Sequence, residues 1–340
     1  MRQRPPTIAD VARIAGVSTG AVSYALNNRP GVSQATRDRV RAIADEIGFR
    51  PQRAALALKD ASTLTVGMGF CRPARVLGVE PFFMELISGI ESELADRSYA
   101  LMLQVLPDHD AEVEMHQRWW AERRVDGVIV VDLTENDSRV TALQRHGLPA
   151  VLIGGPEGTG GLAHVWSDDV HGVEQVVSYL AGLGHRRVAR VSGPPELMHT
   201  RRRDEAFLSA GARAGFNRRK PIRTDYTAEQ SARATRRLLT APTPPTAIVY
   251  DNDVMALAGL AGAHELGVRV PAEVSLVAWD DSPLTQLVHP PLTAISRDIT
   301  GYGALAARQL LKVLAGEQVA GTAGTECRLT VRGTTGPPPA

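Results

Sequence analysis

Apolar residues recur at three- and four-residue intervals through the first fifty positions, and this spacing predicts three short helices. The first helix follows Thr7, and Asp10 three residues later completes a capping-box pattern. Ser18 is placed to cap the second helix, and Ser33 to cap the third, which carries an apolar face from 34 to 47. The pattern therefore predicts a small all-α unit that contains a helix–turn–helix.

The outward face of the second helix is small and polar apart from one tyrosine. We expect this face to consist of Thr19, Gly20, Ser23, Tyr24 and Asn27. A slender polar helix that follows a tight turn fits a DNA major groove about 12 Å wide. Helical hairpins also occur in bundles that bind no nucleic acid, so the pattern alone leaves both interpretations open.

From residue 64 onward, apolar runs typical of buried strands alternate with segments of helical periodicity. The predicted strands are 65–70, 100–106, 127–131, 150–153, 188–192, 247–250 and 275–278. The predicted helices are 82–97, 111–123, 140–146, 171–183, 201–214, 228–239 and 254–266. The alternation predicts parallel sheets flanked by helices, and the glycine-rich interruption at 154–161 favours two α/β subdomains facing a cleft. Late segments at 292–296 and 327–331 would let the chain pass between them more than once.

The charge distribution favours a nucleic-acid partner for the first unit. Residues 1–60 carry ten Lys/Arg against five Asp/Glu, a net charge of +5, whereas the remainder carries 28 against 32, a net charge of −4. A basic small domain on a mildly acidic body suits contacts with a phosphate backbone. Charged residues make up 22% of the chain, as in ordinary soluble domains, and no apolar run reaches the roughly 18 residues of a membrane span.

The N-terminal motif resembles the DNA-binding headpiece of the lactose-repressor (LacI/GalR) family of bacterial transcription regulators. The resemblance rests on TIADVARIAGVSTGAVSYALNNRPGVSQATRDRV, followed by GFRPQRAALALK, which lie between residues 7 and 59. It implies a helix–turn–helix domain at 1–50 and a hinge helix at 51–61 that orders on operator DNA. The residues that it implies in DNA binding are Thr7, Ser18, Thr19, Gly20, Ser23, Tyr24, Asn27, Arg53, Ala55 and Leu58.

Three of these positions bear on the operator sequence. Leu58 occupies the position of the family's minor-groove leucine, and an apolar side chain inserted there kinks the duplex. Tyr24 replaces the arginine usual in the family, which removes a bidentate guanine contact of roughly 1–3 kcal/mol. Gly20 lies at a principal specificity position and offers no side chain. We therefore expect an operator that differs from the common family consensus.

The resemblance also implies a core at 62–335, similar to the periplasmic sugar-binding proteins, that binds an effector and dimerises. We expect an N-subdomain at about 62–162 plus 294–321, a C-subdomain at about 163–293 plus 322–335, and a disordered tail at 336–340. The effector-binding residues carried over from the family are Phe82, Phe83, Arg203, Tyr226, Asn252, Asp253 and Asp280. Such charged, amide and aromatic groups suit a sugar's hydroxyls and faces, although a purine would suit them too.

Other functional classes have weaker support in the sequence. The segment 67–69 lacks the third glycine of a dinucleotide-binding motif, and the distant Cys71 and Cys327 predict neither a disulfide framework nor a metal site. We expect no enzyme activity, no cofactor, no metal and no membrane partner. The expected protein is a cytoplasmic, nucleoid-associated homodimer that acts as a repressor on operator DNA under the control of a small molecule, preferably a sugar.

Two alternatives remain open from the sequence. One is a sugar-binding or sugar-modifying protein whose headpiece is vestigial. The other is a purine-responsive regulator that depends on a corepressor.

Overall fold

The structure, a computed structural model, describes residues 4, 6–49, 62–72, 74–217 and 220–339. The chain divides into two units, Met1–Thr63 and Leu64–Ala340. The expected hinge helix at 51–61, with its DNA-binding candidates Arg53, Ala55 and Leu58, lies outside the described residues. No helix within the described ranges is both long enough and apolar enough to cross a membrane.

Three helices form the first unit, as the apolar spacing predicts. They are α1 Ile8–Ala15, α2 Thr19–Leu26 and α3 Gln34–Glu46. The capping box is present, because the Thr7 hydroxyl and backbone N–H both donate to the Asp10 carboxylate, at 2.6 and 2.9 Å. Ser18 caps α2 by accepting a hydrogen bond from the Ala21 N–H at 3.1 Å. The polar residues at the helix starts therefore satisfy backbone groups that would otherwise lack partners.

A small apolar core joins these helices. Its buried members are Val11, Ala12, Ala15, Val22, Ala25, Val40, Ala44 and Phe49. Gly16 ends α1 with a φ of 65°, a left-handed conformation that glycine adopts without a steric penalty. The glycine turn lets α2 begin with only three residues between it and α1, while Val22 and Ala25 keep one face of α2 in the core.

Two six-stranded sheets form the second unit. In spatial order, the first sheet contains β11 Thr322–Ala323, β5 Ala163–Trp166, β4 Ala150–Ile153, β3 Gly127–Val130, β1 Thr65–Phe70 and β2 Ala100–Val105. The second contains β12 Arg328–Thr330, β10 Thr293–Ser296, β9 Ser275–Trp279, β8 Ala247–Tyr250, β6 Val188–Ser192 and β7 Ile222–Arg223. All the strand pairs are parallel except β10 with β12. This arrangement confirms the predicted pair of parallel-sheet subdomains.

Helices cover both faces of each sheet. They are α4 Ala74–Leu77, α5 Pro81–Ala95, α6 His109–Ala121, α7 Ser138–His146, α8 Asp169–Gly182, α9 Met198–Arg213, α10 Ala228–Leu239, α11 Asp253–Glu265, α12 Pro283–Leu287 and α13 Ile299–Leu314. On the first sheet, α5 and α13 pack on one face and α6 and α7 on the other. On the second sheet, α10 and α11 oppose α8 and α9. Strands buried on both faces explain the nearly continuous apolar runs of the sequence.

The expected subdomain boundaries are wrong at three strands. β5 and β11 belong to the first sheet, although the expected C-subdomain included both of them. β10 belongs to the second sheet, although the expected N-subdomain began its second segment at 294. The physical reason is strand pairing, since β5 continues the parallel ladder of β4 and β10 continues that of β9. The chain therefore crosses between the sheets after Trp166, after Ser296 and after Ala323.

The expected disorder of the tail at 336–340 is also wrong for the residues that the structure describes. The buried Thr334 hydroxyl donates to the Leu276 carbonyl at 2.8 Å. Gly336 exchanges two hydrogen bonds of 3.1 Å with the Ser275 hydroxyl, one through its N–H and one through its carbonyl. Gly336 is held in place because it satisfies polar groups at the beginning of β9.

Helices α5 and α13 meet at two glycines. A Cβ on Gly89 would overlap the carbonyl oxygen of Thr300, and a Cβ on Gly303 would overlap that of Leu86. The missing side chains let the two backbones touch, which brings α13 onto the first sheet. These glycines also explain why the sequence pattern does not reveal α13, since glycine weakens a helical signal.

We predict that Gly89→Ala lowers the free energy of unfolding by about 2 kcal/mol, because the added methyl group forces the α5 and α13 backbones apart. Urea denaturation followed by tryptophan fluorescence measures this, since all four tryptophans lie in the second unit. The matched control is Gly182→Ala in α8, where an added Cβ meets nothing within 4 Å. Equal stability of the two variants would contradict the close packing.

Candidate effector cleft and nucleic-acid interface

The predicted DNA-binding face of α2 lies at the surface of the first unit. Its exposed members are Thr19, Gly20, Tyr24 and Asn27. Ser23 is half-buried, and its backbone carbonyl accepts a hydrogen bond from the Asn27 amide at 2.9 Å. The Thr7 and Ser18 side chains are engaged as helix caps. Only Tyr24 presents a large apolar group on this face, and contact between the face and DNA stays a prediction.

A cationic cluster adjoins the end of α2. Asn28 adopts a left-handed φ of 56°, and its side-chain oxygen accepts hydrogen bonds from Arg37 and Arg41, the latter at 3.3 Å. Arg37 also donates to the Arg29 carbonyl at 3.2 Å. Two guanidinium groups are thereby held beside the polar face, where they can pair with phosphate oxygens.

A cavity opens at the carboxyl ends of the strands within the second unit, and we call it the cleft. Its cavity volume is about 80 Å³, and the space increases to about 810 Å³ when the solvent at its open mouth is included. Six of the seven predicted effector-binding residues line it: Phe82, Phe83, Arg203, Tyr226, Asn252 and Asp280. Ligands of parallel α/β sheets bind at this edge of the strands. The cleft is therefore the candidate effector site.

Asp251, which directly follows β8, is the most heavily bonded group of the cleft. Its carboxylate accepts from the guanidiniums of Arg190 at 2.8 Å and Arg203 at 3.2 Å, and from the Gly193 N–H at 2.9 Å. Burial opposes its ionisation, but the two guanidiniums outweigh burial and hold the pKa of Asp251 well below its usual range. The carboxylate therefore remains charged and fixes both arginines.

Arg203 is buried among partners from three elements. Its Nε donates to Asp169 at 3.1 Å, and its guanidinium carbon lies 4.2 Å from the centre of the Trp279 ring. Together with Asp251, these contacts give the guanidinium two carboxylates and an aromatic face. Arg203 thus enters the cleft in a fixed orientation.

A second fixed pair forms the opposite wall. Arg72 binds both carboxylate oxygens of Asp132, at 2.8 and 3.0 Å, and lies 4.5 Å from the centre of the Tyr226 ring. Burial opposes ionisation, yet the paired Arg72 lowers the pKa of Asp132 to about 2. Arg72 follows β1 and Tyr226 follows β7, so this contact connects the two sheets.

The aromatic side chains are already covered in part. Arg297 donates to Asp280 at 2.6 Å, and its guanidinium lies 5.1 Å from the centre of the Phe82 ring. Phe83 is buried in the core of the first sheet and contacts Phe82 edge to face. Arg72 covers the Tyr226 ring, and the Tyr226 hydroxyl bonds to His199 at 2.9 Å, so effector binding by Tyr226 stays a prediction.

Asp253 is the one predicted effector residue that lies outside the cleft lining. Its carboxylate accepts hydrogen bonds from the Ser282 hydroxyl and from the Val254 N–H, the latter at 2.8 Å. It occupies the first turn of α11, where a carboxylate stabilises the helix N-terminus. These contacts give Asp253 a structural role, and effector binding by Asp253 stays a prediction.

Sequence reasoning missed several residues that line the cleft. They are Arg72, Glu80, Asp132, Asp169, His199, Asp251 and Arg297. Four of them share a signal, since each lies one or two positions after a strand: Arg72, Asp132, Asp251 and Arg297. The sequence alone could have identified these four as candidates, because they are charged residues that follow predicted strands and the carboxyl ends of parallel strands share one edge.

Glu80 is the buried carboxyl group of the cleft with the fewest partners. One of its oxygens accepts from the Asn252 amide at 3.2 Å, whereas the other has no hydrogen-bond partner in the described part of the chain. Burial raises the pKa of Glu80 to about 7. Asn252 also caps α11 by accepting from the Met255 N–H at 2.7 Å, so its position is fixed.

We predict that Glu80→Gln removes a pH-dependent loss of stability. The folded pKa of about 7 exceeds the ordinary 4.5, so the folded protein binds the proton more tightly and loses stability as pH rises from 4.5 past 7. As pH rises from 4.5 to 8, the difference in unfolding free energy between the variant and the parent protein should increase by about 3 kcal/mol in favour of the variant. Exposed Glu91 on α5, the helix that begins directly after Glu80, supplies the control, Glu91→Gln. A pH-independent difference between parent and Glu80→Gln would contradict the assignment.

Two family models match the chain. The model described as bacterial regulatory proteins, lacI family, matches residues 7–52. The model described as a periplasmic binding protein-like domain matches residues 177–335. The first match covers α1 to α3, and the second covers all six strands of the second sheet.

Relatives and solved structures match over nearly the whole chain. HTH-type transcriptional repressor CytR of Escherichia coli (strain K12) is 32% identical over 337 residues, covering 97% of this chain and 96% of that protein. A crystal structure of the lac repressor dimer bound to operator and the anti-inducer ONPF has a TM-score of 0.88 and 26% identity, covering 98% and 100% of the two chains. A complex of the transcriptional regulator CelR with cellobiose has a TM-score of 0.74 and 28% identity, covering 97% and 99%. The protein therefore belongs to the lacI family of bacterial regulatory proteins, which confirms the resemblance drawn from its N-terminal motif.

Proposed function

We propose that this regulator is a cytoplasmic homodimeric repressor whose operator affinity is controlled by a sugar bound in the cleft. The observation that carries the proposal is the cleft itself, in which Arg203, Asp280 and Asn252 come together at the strand ends. A cytoplasmic location follows from the need to reach DNA. We assign the protein no catalytic activity, in keeping with relatives that are named as transcription regulators.

The chemistry of the cleft favours a polyhydroxylated ligand over a planar base. Guanidiniums, carboxylates and an amide line it, and these groups donate to and accept from adjacent hydroxyls. The rings that a purine would stack on are covered in part, Phe82 by Arg297 and Tyr226 by Arg72. The CelR structure contains cellobiose, which supports a sugar as the class of effector. A purine is the second candidate, because Trp166 also lines the cleft.

DNA recognition is assigned to the exposed face of α2. Thr19, Gly20 and Ser23 would face base edges, with Tyr24 and Asn27 at the border, while the Arg37 and Arg41 cluster would pair with phosphates. One short helix reads only a few base pairs, so a dyad-related pair of headpieces is needed for specificity. The operator is then expected to be pseudo-palindromic.

Coupling requires that the ligand bind two states of the core with different affinity. Contacts that connect the walls of the cleft include Glu80 with Asn252, Arg72 with Tyr226, and the Leu133 carbonyl with the Met198 N–H at 2.8 Å. A sugar that displaces or tightens these contacts changes the arrangement of the two sheets. That change would alter the spacing of two headpieces in a dimer.

We predict that the sugar giving the largest thermal stabilisation also changes operator affinity in a mobility-shift titration. Arg203→Lys and Phe82→Leu should each weaken the sugar's effect roughly tenfold or more, because they remove a charge-assisted hydrogen-bond fork and a ring from the cleft. Operator affinity without sugar should stay within about twofold, since both residues lie in the second unit.

The matched control is Arg213→Ala, which removes an exposed guanidinium ten residues further along the same helix. Its sugar response should equal that of the parent protein. Stabilisation by nucleosides alone would contradict the assignment of a sugar as effector. If the protein retarded no upstream DNA fragment, its assignment as a DNA-binding regulator would be contradicted.

A further inference from the structure

A buried polar cluster lies beside the first sheet and takes no part in the function proposed above. Cys71 follows β1, and His109, Glu112 and His116 lie on α6 at spacings of three and four, which places them on one helix face. The Cys71 sulfur, a ring nitrogen of His109 and a carboxylate oxygen of Glu112 all lie within 4.8 Å of one another. His116 Nε2 lies 3.8 Å from Glu112 Oε1. Three potential metal ligands, Cys71, His109 and Glu112, therefore converge, and His116 lies beside Glu112.

Several of these atoms have no hydrogen-bond partner in the described ranges. They are Glu112 Oε1 and both ring nitrogens of His116, and the two side chains are 0% and 3% exposed. Buried polar atoms without partners are rare because their desolvation is not compensated. The Glu112 oxygen and the His116 ring face each other, which indicates a missing group between or beside them.

The charges of the cluster do not balance. The single Arg139 guanidinium pairs with both Glu112 and Asp137, each at 2.7 Å. A neutral Cys71 thiol then leaves one negative charge in excess. A divalent cation that binds Cys71 as a thiolate, with the thiol proton released to solvent, brings the sum to zero.

We propose that Cys71, His109 and Glu112 form a binding site for a zinc-class divalent ion. One sulfur, one imidazole and one carboxylate are the mixed donors that suit Zn²⁺ rather than Mg²⁺ or Ca²⁺, and three protein ligands leave the fourth tetrahedral position open. Ligands of a tetrahedral zinc ion lie about 3.5 Å apart, so the side chains move inward by about an ångström on binding.

Access and space favour this site. Cys71 and His109 are half-buried, so the ion enters from the surface. Gly69 on β1 leaves room for Glu112, since a Cβ there would lie 3.0 Å from its carboxylate. The spacing of these residues in the sequence does not reveal the site, because Cys71 is far from α6 along the chain and only the parallel sheet brings the two together.

The site adjoins the cleft through Arg72. This residue follows Cys71 directly and pairs with Asp132, whose backbone carbonyl accepts from Arg139 at 2.9 Å. Ion binding therefore fixes the base of one cleft wall. The inference does not depend on which effector the cleft binds.

Cobalt binding to the full-length protein, purified without a histidine tag and freed of metal by a chelator, tests the site. One equivalent of Co²⁺ should produce thiolate-to-cobalt charge-transfer absorption, and Zn²⁺ should abolish it. Cys71→Ser should remove the absorption, whereas Cys327→Ser, which changes the other free cysteine, should retain it.

A second variant tests the site independently, in case Cys71→Ser fails to fold. His109→Ala alters a half-buried side chain and should weaken Co²⁺ binding by at least about tenfold while the Co²⁺-free melting temperature stays unchanged. The absence of charge-transfer absorption in the parent protein, or its persistence in Cys71→Ser, would overturn the proposal. Its loss in Cys327→Ser would do the same.

Discussion

One buried carboxylate, that of Asp251, holds the second unit's cleft in its working form. It accepts hydrogen bonds from Arg190 on β6, Arg203 on α9 and the Gly193 backbone, so it joins a strand, a helix and a loop at one point. Charges buried this deeply are stable only when paired and hydrogen-bonded. Asp251 neutralises much of the positive charge of both arginines. Asp204 pairs with Arg190 and Asp169 pairs with Arg203, and these two carboxylates neutralise the rest.

The parallel topology explains why such pairs gather at one place. Every strand next to the cleft ends at the same edge of its sheet, so the residues that follow the strands meet there. Arg72 and Asp132 arrive from the first sheet, whereas Asp251 and Asp280 arrive from the second. The walls are rigid because each charge already has a partner, and a ligand therefore meets fixed donors and acceptors.

Local patterns predicted the headpiece and most strands, because capping and hydrophobic periodicity depend on neighbouring residues. The Thr7–Asp10 capping box and β4 at Ala150–Ile153 follow the prediction closely. Long-range packing decided what the sequence did not reveal. Gly303 weakens the helical pattern of α13 yet permits its contact with α5, and the roles of Glu80 and Asp253 depend on partners more than 25 residues away.

Urea denaturation of Asp251→Asn at pH 7 is the most direct test, because asparagine keeps the shape but removes the charge and one of the two acceptor oxygens. If Asp251 holds the two arginines, the free energy of unfolding should fall by about 3 kcal/mol or more, as when one member of a buried ion pair is removed. A loss below about 1 kcal/mol, the range of an exposed ion pair, would show that the charge does not organise the cleft.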